Sequence, residues 1–216
     1  MEKLNLNPHQ LDMSTVEESS LWQQRFFEAQ AGMERFLAEH YGLEEISRWL
    51  PVRAEILKGL TGNAPEMEDV ESWKKRFFRA QALLEKYLKD HHSLDDMAGW
   101  TKAIAEIFKH TEPNRGGGAA DLAVRLAKQA HCYGSMYDLE HLDRNFARFR
   151  LHHCAIWDYR EEARRMGVPL TLRSPCTFCT QATVANIQAK GFAASFELHE
   201  SERDHGCTWE ITARQD

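Results

Sequence analysis

The residues best suited to chemistry in this sequence are its five cysteines, all of which follow residue 131. Cys176 and Cys179 form a Cys-x-x-Cys pair at the predicted start of a helix, where the helix dipole lowers the pKa of a thiol. Cys154 is predicted to end one strand and Cys207 to open another. A thiolate in such a position either attacks an electrophile or binds a metal ion.

Four of these cysteines match the ligand count of a tetrahedral zinc site or a four-iron cluster. The four are Cys154, Cys176, Cys179 and Cys207. A single Cys-x-x-Cys pair is a moderate signal for metal binding, and cysteine is also a common residue of apolar cores. The sequence therefore leaves nucleophiles, metal ligands and core thiols open, and the cofactor unknown.

Two histidines beside Cys154 are candidate proton carriers. His152 and His153 are neighbours on a predicted strand, so only one of them can face a site. An imidazole titrates near neutral pH, as a general acid or base requires. His199 and His205, at the ends of the last predicted hairpin, are further candidates. We assign most arginines of this region to a solvated face, although one of them could hold a substrate carboxylate.

The first half of the chain contains an internal repeat. Residues 22–58 match residues 73–109 without a gap, and the conserved positions include a Trp, a Phe-Phe pair and an Ala-Gln-Ala segment. A repeat of this length is a supersecondary unit. Apolar residues recur at spacings of three and four, as in Trp22, Phe26, Ala29 and Met33, and this spacing predicts helical hairpins.

The second half has a different pattern. From Ala119 the spacing predicts a long helix to about Leu142, and the alternation at 146–153 then predicts a strand. Two shorter helices and a closing hairpin follow, predicted over 156–166, 175–189, 192–198 and 207–212. We therefore predict an α+β protein: a duplicated helical-hairpin half, then a domain with an antiparallel sheet and short helices.

The predicted domains are a polar N-terminal segment (1–20), duplicated hairpins (21–112) and a cysteine-containing α+β domain (113–216). The first repeat covers about 21–60 and the second about 72–111. The boundary lies in a segment with Pro113 and three glycines, Gly116 to Gly118. Three glycines before a helix can hold a phosphate, but no P-loop lysine follows, so we interpret this segment as a linker.

Composition limits the classes of function. The chain has 216 residues, 43% of them hydrophobic, and a net charge of −6. A nucleic-acid-binding protein would be basic, so we predict no nucleic-acid partner. No apolar stretch approaches the ~20 residues of a membrane helix, and no secretory signal is apparent, so we predict a cytoplasmic protein without a membrane partner. The wide apolar faces of the repeats suggest packing against the other repeat, the C-terminal domain or a second subunit, and we predict a homo-oligomer.

The stretch 150–211 resembles the C-terminal part of the L-2-amino-thiazoline-4-carboxylic acid hydrolase-like family. The residues that carry the resemblance are Cys154, Gly167, a central Cys176 or Cys179, and the closing segment from His205 to Glu210. The closing segment is also similar to vinyl-reductase-type small-molecule sensor domains, some of which hold zinc through cysteines. The hydrolase resemblance implies opening of a small cyclic amidine or thiazoline carboxylate.

Two functions follow as predictions. In the first, a hydrolase acts on a C–N bond, with a nucleophile among Cys154, Cys176 and Cys179 and with His152 or His153 moving protons. The alternative is a small-ligand binding or sensor protein that holds zinc or an iron–sulfur cluster through Cys154, Cys176, Cys179 and Cys207, with the helical half used for interaction.

Overall fold

The computed structural model describes residues 11, 13–58, 60, 69–200 and 204–214. Its described residues form an α+β protein with seven α-helices and a four-stranded antiparallel sheet. Two compact units are present. The helical unit consists of Met13–Phe108 and Leu170–Arg173, and the mixed unit contains Lys109–Pro169 and the described residues from Ser174 onward. The domain boundaries predicted above stay predictions, and most of the predicted 1–20 segment lies outside the described residues.

The helical unit contains the two repeats. Its elements are α1 (Thr15–His40), α2 (Leu43–Lys58), α3 (Val70–His91), a 3-10 turn (Leu94–Asp96) and α4 (Met97–Thr111). A capping box of Ser14 and Glu17 begins α1. Pro51 lies inside a continuous α2, although a proline in a helix interior commonly bends or breaks the helix. The duplicated hairpins are therefore confirmed as helix pairs.

The repeated apolar positions form the core of this unit. Trp22, Phe26 and Met33 on α1 are buried, as are their counterparts Trp73, Phe77 and Leu84 on α3. Of the Phe-Phe pair, only the first member is buried in each copy, since Phe27 is 47% exposed. Gly32 on α1 lies against Ile104 on α4, and a Cβ at that glycine would come within 2.3 Å of Cγ1 of Ile104.

A buried carboxylate is built into the same unit. Glu45, 5% exposed, accepts a 2.5 Å hydrogen bond from the hydroxyl of Tyr87. Burial alone would raise the pKa of Glu45, but the Tyr87 hydrogen bond and the charges of His92 and Arg48 outweigh it and lower this pKa. Burial and the same hydrogen bond raise the pKa of Tyr87. The negative charge on Glu45 is therefore stabilised by the fold.

The mixed unit positions the cysteines. Its elements are α5 (Ala119–Tyr133), β1 (Met136–Leu142), β2 (Phe146–His153), α6 (Ala155–Arg165), α7 (Cys176–Ala189), β3 (Phe192–Glu200) and β4 (His205–Ala213). The long helix predicted to Leu142 is wrong beyond Tyr133. Gly134 ends α5 in the left-handed conformation, with φ 78°, and the chain then turns into β1.

The strand order is β1-β2-β4-β3, so β4 pairs on both sides. Across the sheet, Cys207 lies between Leu151 on β2 and Leu198 on β3, and Trp209 lies between Phe149 and Phe196. Side chains paired in this way point to the same face. One face of the sheet is therefore an apolar surface with Cys207 in it, and α5 and α7 pack against these strands.

Candidate functional site

A cavity in the mixed unit lies between this apolar sheet face and helices α5, α6 and α7. The volume of the cavity is about 70 Å³. Four of the five cysteines line it, together with aromatic and aliphatic side chains of the three helices and of β2, β3 and β4. These include Leu126, Ala130, Tyr133, Phe149, Leu151, Trp157, Leu198 and Trp209.

Each of the four cysteines comes from a different position in the fold. Cys154 precedes the first turn of α6, and its backbone N–H donates a 2.8 Å hydrogen bond to the carbonyl of His205. Cys176 begins α7, and Cys179 lies one turn later. Cys207 lies on β4 and accepts a 3.2 Å hydrogen bond at Sγ from the indole N–H of Trp209. All four line the cavity, although Cys207 is the third residue of β4 and does not open the strand as predicted.

Two of these thiols are held in their neutral form. Burial, with a smaller contribution from the charge of Cys179, raises the pKa of Cys154 to about 12. The same causes raise the pKa of Cys207 to about 12, although the Trp209 hydrogen bond acts in the opposite direction. At neutral pH both groups are protonated thiols, which are poor nucleophiles. The fifth cysteine, Cys132, is buried on α5 and is not among the cavity residues.

The predicted proton carriers lie elsewhere. His152 is exposed and lies 2.7 Å from Oδ2 of Asp138. His153 lies 2.5 Å from Asp158 and 3.1 Å from Asp204, and the hydrogen bond that its imidazole donates to the Asp158 carboxylate raises the pKa of His153. Neither imidazole is among the described residues that line the cavity. The structure therefore places both histidines with carboxylates, apart from the thiols.

The imidazole that does reach the cavity is His205. It stacks on the indole of Trp157 with ring centroids 3.9 Å apart and an angle of 14° between the planes. Its Nδ1 is buried and has no hydrogen-bond partner in the described part of the chain. His199 lies 2.8 Å from the hydroxyl of Thr208 instead. No signal in the sequence indicates the pairing of Trp157 with His205. The two residues are 48 positions apart, and they meet only because α6 lies beside β4 in the folded unit.

The arginines of β2 also lie away from the cavity. Arg148 pairs with Glu140 at 2.9 Å and with Glu210 at 3.7 Å, and Arg150 pairs with Glu140 at 3.7 Å. Both side chains are exposed, and the burial of β2 alternates so that Phe149 and Leu151 face inward. Their assignment to a solvated face fits these positions.

No protein-family model and no curated protein matches this sequence. The solved structures that match include a mutant of an Fe(II) unliganded H-NOX protein from K. algicida, at 10% identity and a TM-score of 0.43, covering 88% of this chain and 96% of that one. A Tt H-NOX variant matches at 10% identity and a TM-score of 0.41, covering 85% and 92%. A third, from a study of H-NOX activation, matches at 11% identity and 0.41, covering 86% and 94%.

These identities and TM-scores describe a weak likeness, and nothing known of those proteins is transferred to this chain. The resemblance to the thiazoline hydrolase-like family is wrong, because no family model and no curated protein matches the sequence. The resemblance to vinyl-reductase-type domains likewise has no family match.

The hydrolase prediction is overturned with that resemblance. Its mechanism required a thiolate of Cys176 or Cys179 with His152 or His153 within hydrogen-bond reach, whereas both imidazoles lie against carboxylates and neither is among the described residues that line the cavity. The catalytic roles given to Cys154, Cys176, Cys179, His152 and His153 stay untested predictions without a reaction attached to them.

The zinc and iron–sulfur predictions are also wrong. Among the described residues, no group of three or more His, Cys, Asp or Glu side chains is arranged to hold a metal ion. A tetrahedral metal site needs its ligand atoms to converge on one point, and the four cysteines that line the cavity are not found as such a group. In the described part of the chain, no helix combines the length and the apolar character needed to cross a bilayer.

Proposed function

We propose that the mixed unit is a binding module for a small apolar molecule, which occupies the cavity lined by Cys154, Cys176, Cys179 and Cys207. The observation that carries the proposal is the cavity itself. It is apolar, partly enclosed and formed by six secondary-structure elements. Concave, mostly apolar sites with a few polar groups are the usual form of small-molecule sites.

The size of the cavity limits the ligand. A cavity needs roughly 10–15 Å³ of volume to hold one water molecule, so a cavity of 70 Å³ corresponds to about five water molecules. A ligand of on the order of five to ten non-hydrogen atoms therefore fits without a rearrangement of the walls. The neutral thiols of Cys154 and Cys207 suit such a ligand, since they present soft, uncharged surfaces.

The wall includes His205 as a polar anchor. The hydroxyl of Thr180 already donates to the carbonyl of Cys176 at 2.7 Å, and that of Ser135 accepts from the amide of Ala155 at 3.0 Å. The buried Nδ1 of His205 lacks a partner among the described residues. An unsatisfied buried polar atom costs about 1–3 kcal/mol. A ligand with one hydroxyl or carbonyl group would satisfy it, and this defines the proposed class: a small apolar molecule with a single hydrogen-bonding group.

The test compares phenol with toluene by titration of a nitrogen-15-labelled sample. We expect saturable shifts at the amides of β4 and α7, with phenol binding more tightly. Ala130→Leu fills the cavity from α5 and should weaken binding about tenfold or more. Ala38→Leu makes the same change at an exposed helical position and should leave binding unchanged. His205→Phe should remove the preference for phenol over toluene.

Two results would contradict the proposal. One is the absence of saturable shifts at cavity residues for both compounds up to their solubility limits. The other is equal affinity of the Ala130→Leu and Ala38→Leu proteins, with both shown to be folded by circular dichroism. The predicted homo-oligomer and the predicted cytoplasmic location are separate proposals, and light scattering tests the first.

A further inference from the structure

A second cavity in the mixed unit lies beside the triple-glycine turn, away from the cysteines. The volume of this cavity is about 420 Å³. This is within the range of roughly 300–1,000 Å³ that small-molecule sites occupy. Its walls come from the segment 112–118, from α5, from the turn between β1 and β2, and from the start of β3.

The charge of this cavity is opposite to that of the chain. Five basic side chains line it against two acidic ones, Glu112 and Asp121, although the whole chain carries a net charge of −6. The basic residues are Arg115, Arg125, Lys128, Arg144 and Lys190. Such a local excess of positive charge raises the local concentration of anions.

Both acidic side chains are already engaged inside the protein. Glu112 accepts a 2.7 Å hydrogen bond from Nε of Arg125, which is 8% exposed. Asp121 accepts a 2.8 Å hydrogen bond from the backbone N–H of Gly117 and lies in the first turn of α5, where the helix dipole favours an anion. Two acidic groups therefore face five basic ones, and both are held by contacts within the protein.

Two of the arginines are exposed at this cavity. Within the residues that the structure describes, neither Arg115 nor Arg144 forms an ion pair. A guanidinium group offers paired N–H donors whose geometry matches the oxygens of phosphate. These two side chains are consequently available to an incoming anion.

The backbone of Arg144, in the turn between β1 and β2, is held in place by the start of α5. The carbonyl of Arg144 accepts a 2.9 Å hydrogen bond from the amide of Ala119, and a Cβ at Gly118 would lie 2.3 Å from that carbonyl oxygen. Gly118 also has φ +66°, which favours glycine. Since the amides of Ala119 and Ala120 are already bonded to the β1–β2 turn, an anion here is held by side chains rather than by the helix start.

We propose that this cavity binds a phosphorylated small molecule, with Arg115 and Arg144 as the phosphate-binding groups. The wall also contains Leu122, Leu142 and Phe192, which form an apolar surface for the organic part of the ligand. The sequence pattern of a P-loop is absent because the positive charges come from separate elements, not from one motif.

Calorimetry tests the proposal with three probes: inorganic phosphate, pyrophosphate and adenosine diphosphate. We expect pyrophosphate and adenosine diphosphate to bind, and added salt to weaken both. The double variant Arg115→Ala with Arg144→Ala should lower their affinity about tenfold or more. The matched control, Arg164→Ala with Arg165→Ala, removes the same charge from α6, outside this cavity, and should keep the affinity of the unchanged protein.

The comparison between the two double variants decides the outcome. If both bind pyrophosphate equally well, the anion is attracted by diffuse charge and the assigned site is wrong. If none of the three probes binds to the unchanged protein at millimolar concentration, the proposal is also overturned. Tighter binding of adenosine diphosphate than of pyrophosphate would support the role of the apolar wall. Circular dichroism confirms that each variant is folded.

Discussion

The buried thiols make a quantitative prediction about alkylation. Burial raises the pKa of Cys154 and of Cys207 to about 12. Because only the thiolate reacts with iodoacetamide, both residues should react slowly in the folded protein. Unfolding removes the burial and returns both thiols to an ordinary pKa of about 8.5.

The expected ratio follows from two opposing effects. At about pH 8, a thiol of ordinary pKa is about a quarter ionised, whereas one with a pKa of about 12 is ionised in about one molecule in 10⁴. The fraction of thiolate therefore falls by roughly 2,000-fold. A more basic thiolate is also a better nucleophile, and a Brønsted coefficient of about 0.4–0.5 over about 3.5 pKa units restores roughly 40-fold. The net expectation is alkylation roughly 50-fold slower in the folded protein.

Mass spectrometry of tryptic peptides measures this ratio, because cleavage places Cys154 in the peptide 151–160 and Cys207 in 204–214. The control is the same protein in concentrated urea, where both peptides should be alkylated at the rate of a free peptide. In the folded protein the rate should still rise about tenfold per pH unit between about pH 9 and 10. Equal rates in buffer and urea, or a plateau near pH 9, would refute the argument from burial.

Three further predictions concern stability. Gly32→Ala should destabilise the helical unit by about 1–3 kcal/mol, since its Cβ would contact Ile104 at 2.3 Å. Urea unfolding measures this, and the double variant Gly32→Ala with Ile104→Ala should lose less stability than the sum of the two single variants, whereas simple additivity would argue against the contact. Glu45 has a lowered folded pKa, so its contribution is present above the unfolded value near 4.5 and is lost as pH falls through the folded pKa. Thermal unfolding from pH 7 to acid should therefore depend less on pH in Glu45→Gln than in the exposed neighbour control Glu44→Gln, and equal slopes would argue against the Tyr87 contact as the cause. The two buried thiols have raised folded pKa values, so their contribution is complete below the unfolded value of about 8.5 and declines above it by about 1.4 kcal/mol per pH unit for each thiol. Replacing both thiols by alanine should flatten the alkaline loss of stability in urea titrations, and an unchanged slope would contradict the raised values.

The helical unit was the more predictable part of the chain. A long amphipathic helix repeats its apolar positions many times, so Trp22, Phe26 and Met33 identify one face without any knowledge of the partner. The duplication adds an independent copy of the same signal. The same spacing places Phe26 on that face and Phe27 beside it, and the structure buries Phe26 and leaves Phe27 47% exposed.

Strand β1 shows the limit of periodicity. Its seven residues, from Met136 to Leu142, lack a regular alternation of buried and exposed positions, and its pairing with β2 contains two register shifts. The sequence of β1 therefore resembles a continuation of the preceding helix, and this is why the spacing predicts a helix that extends to Leu142. Gly134 was the one local signal for the boundary.

The two cavities differ in what a sequence can disclose. The cysteines are rare residues that the sequence singles out, but their place on one cavity wall and their protonation depend on packing and burial that only the folded unit supplies. The basic residues around the glycine turn are common residues on separate elements. Nothing in their spacing distinguishes Arg115 and Arg144 from any other surface arginine.

The position of β4 between two partner strands has a consequence for how a molecule would enter the thiol-lined cavity. The amides of β4 bond to strands on both sides, so they should be among the slowest to exchange with deuterated water. Helix α7 covers the same cavity with only Thr183 and Ile187 fully buried. Entry is therefore expected through brief outward movement of α7 over a sheet that stays closed, and the rate of ligand exchange should follow the opening of that helix rather than the global stability of the unit.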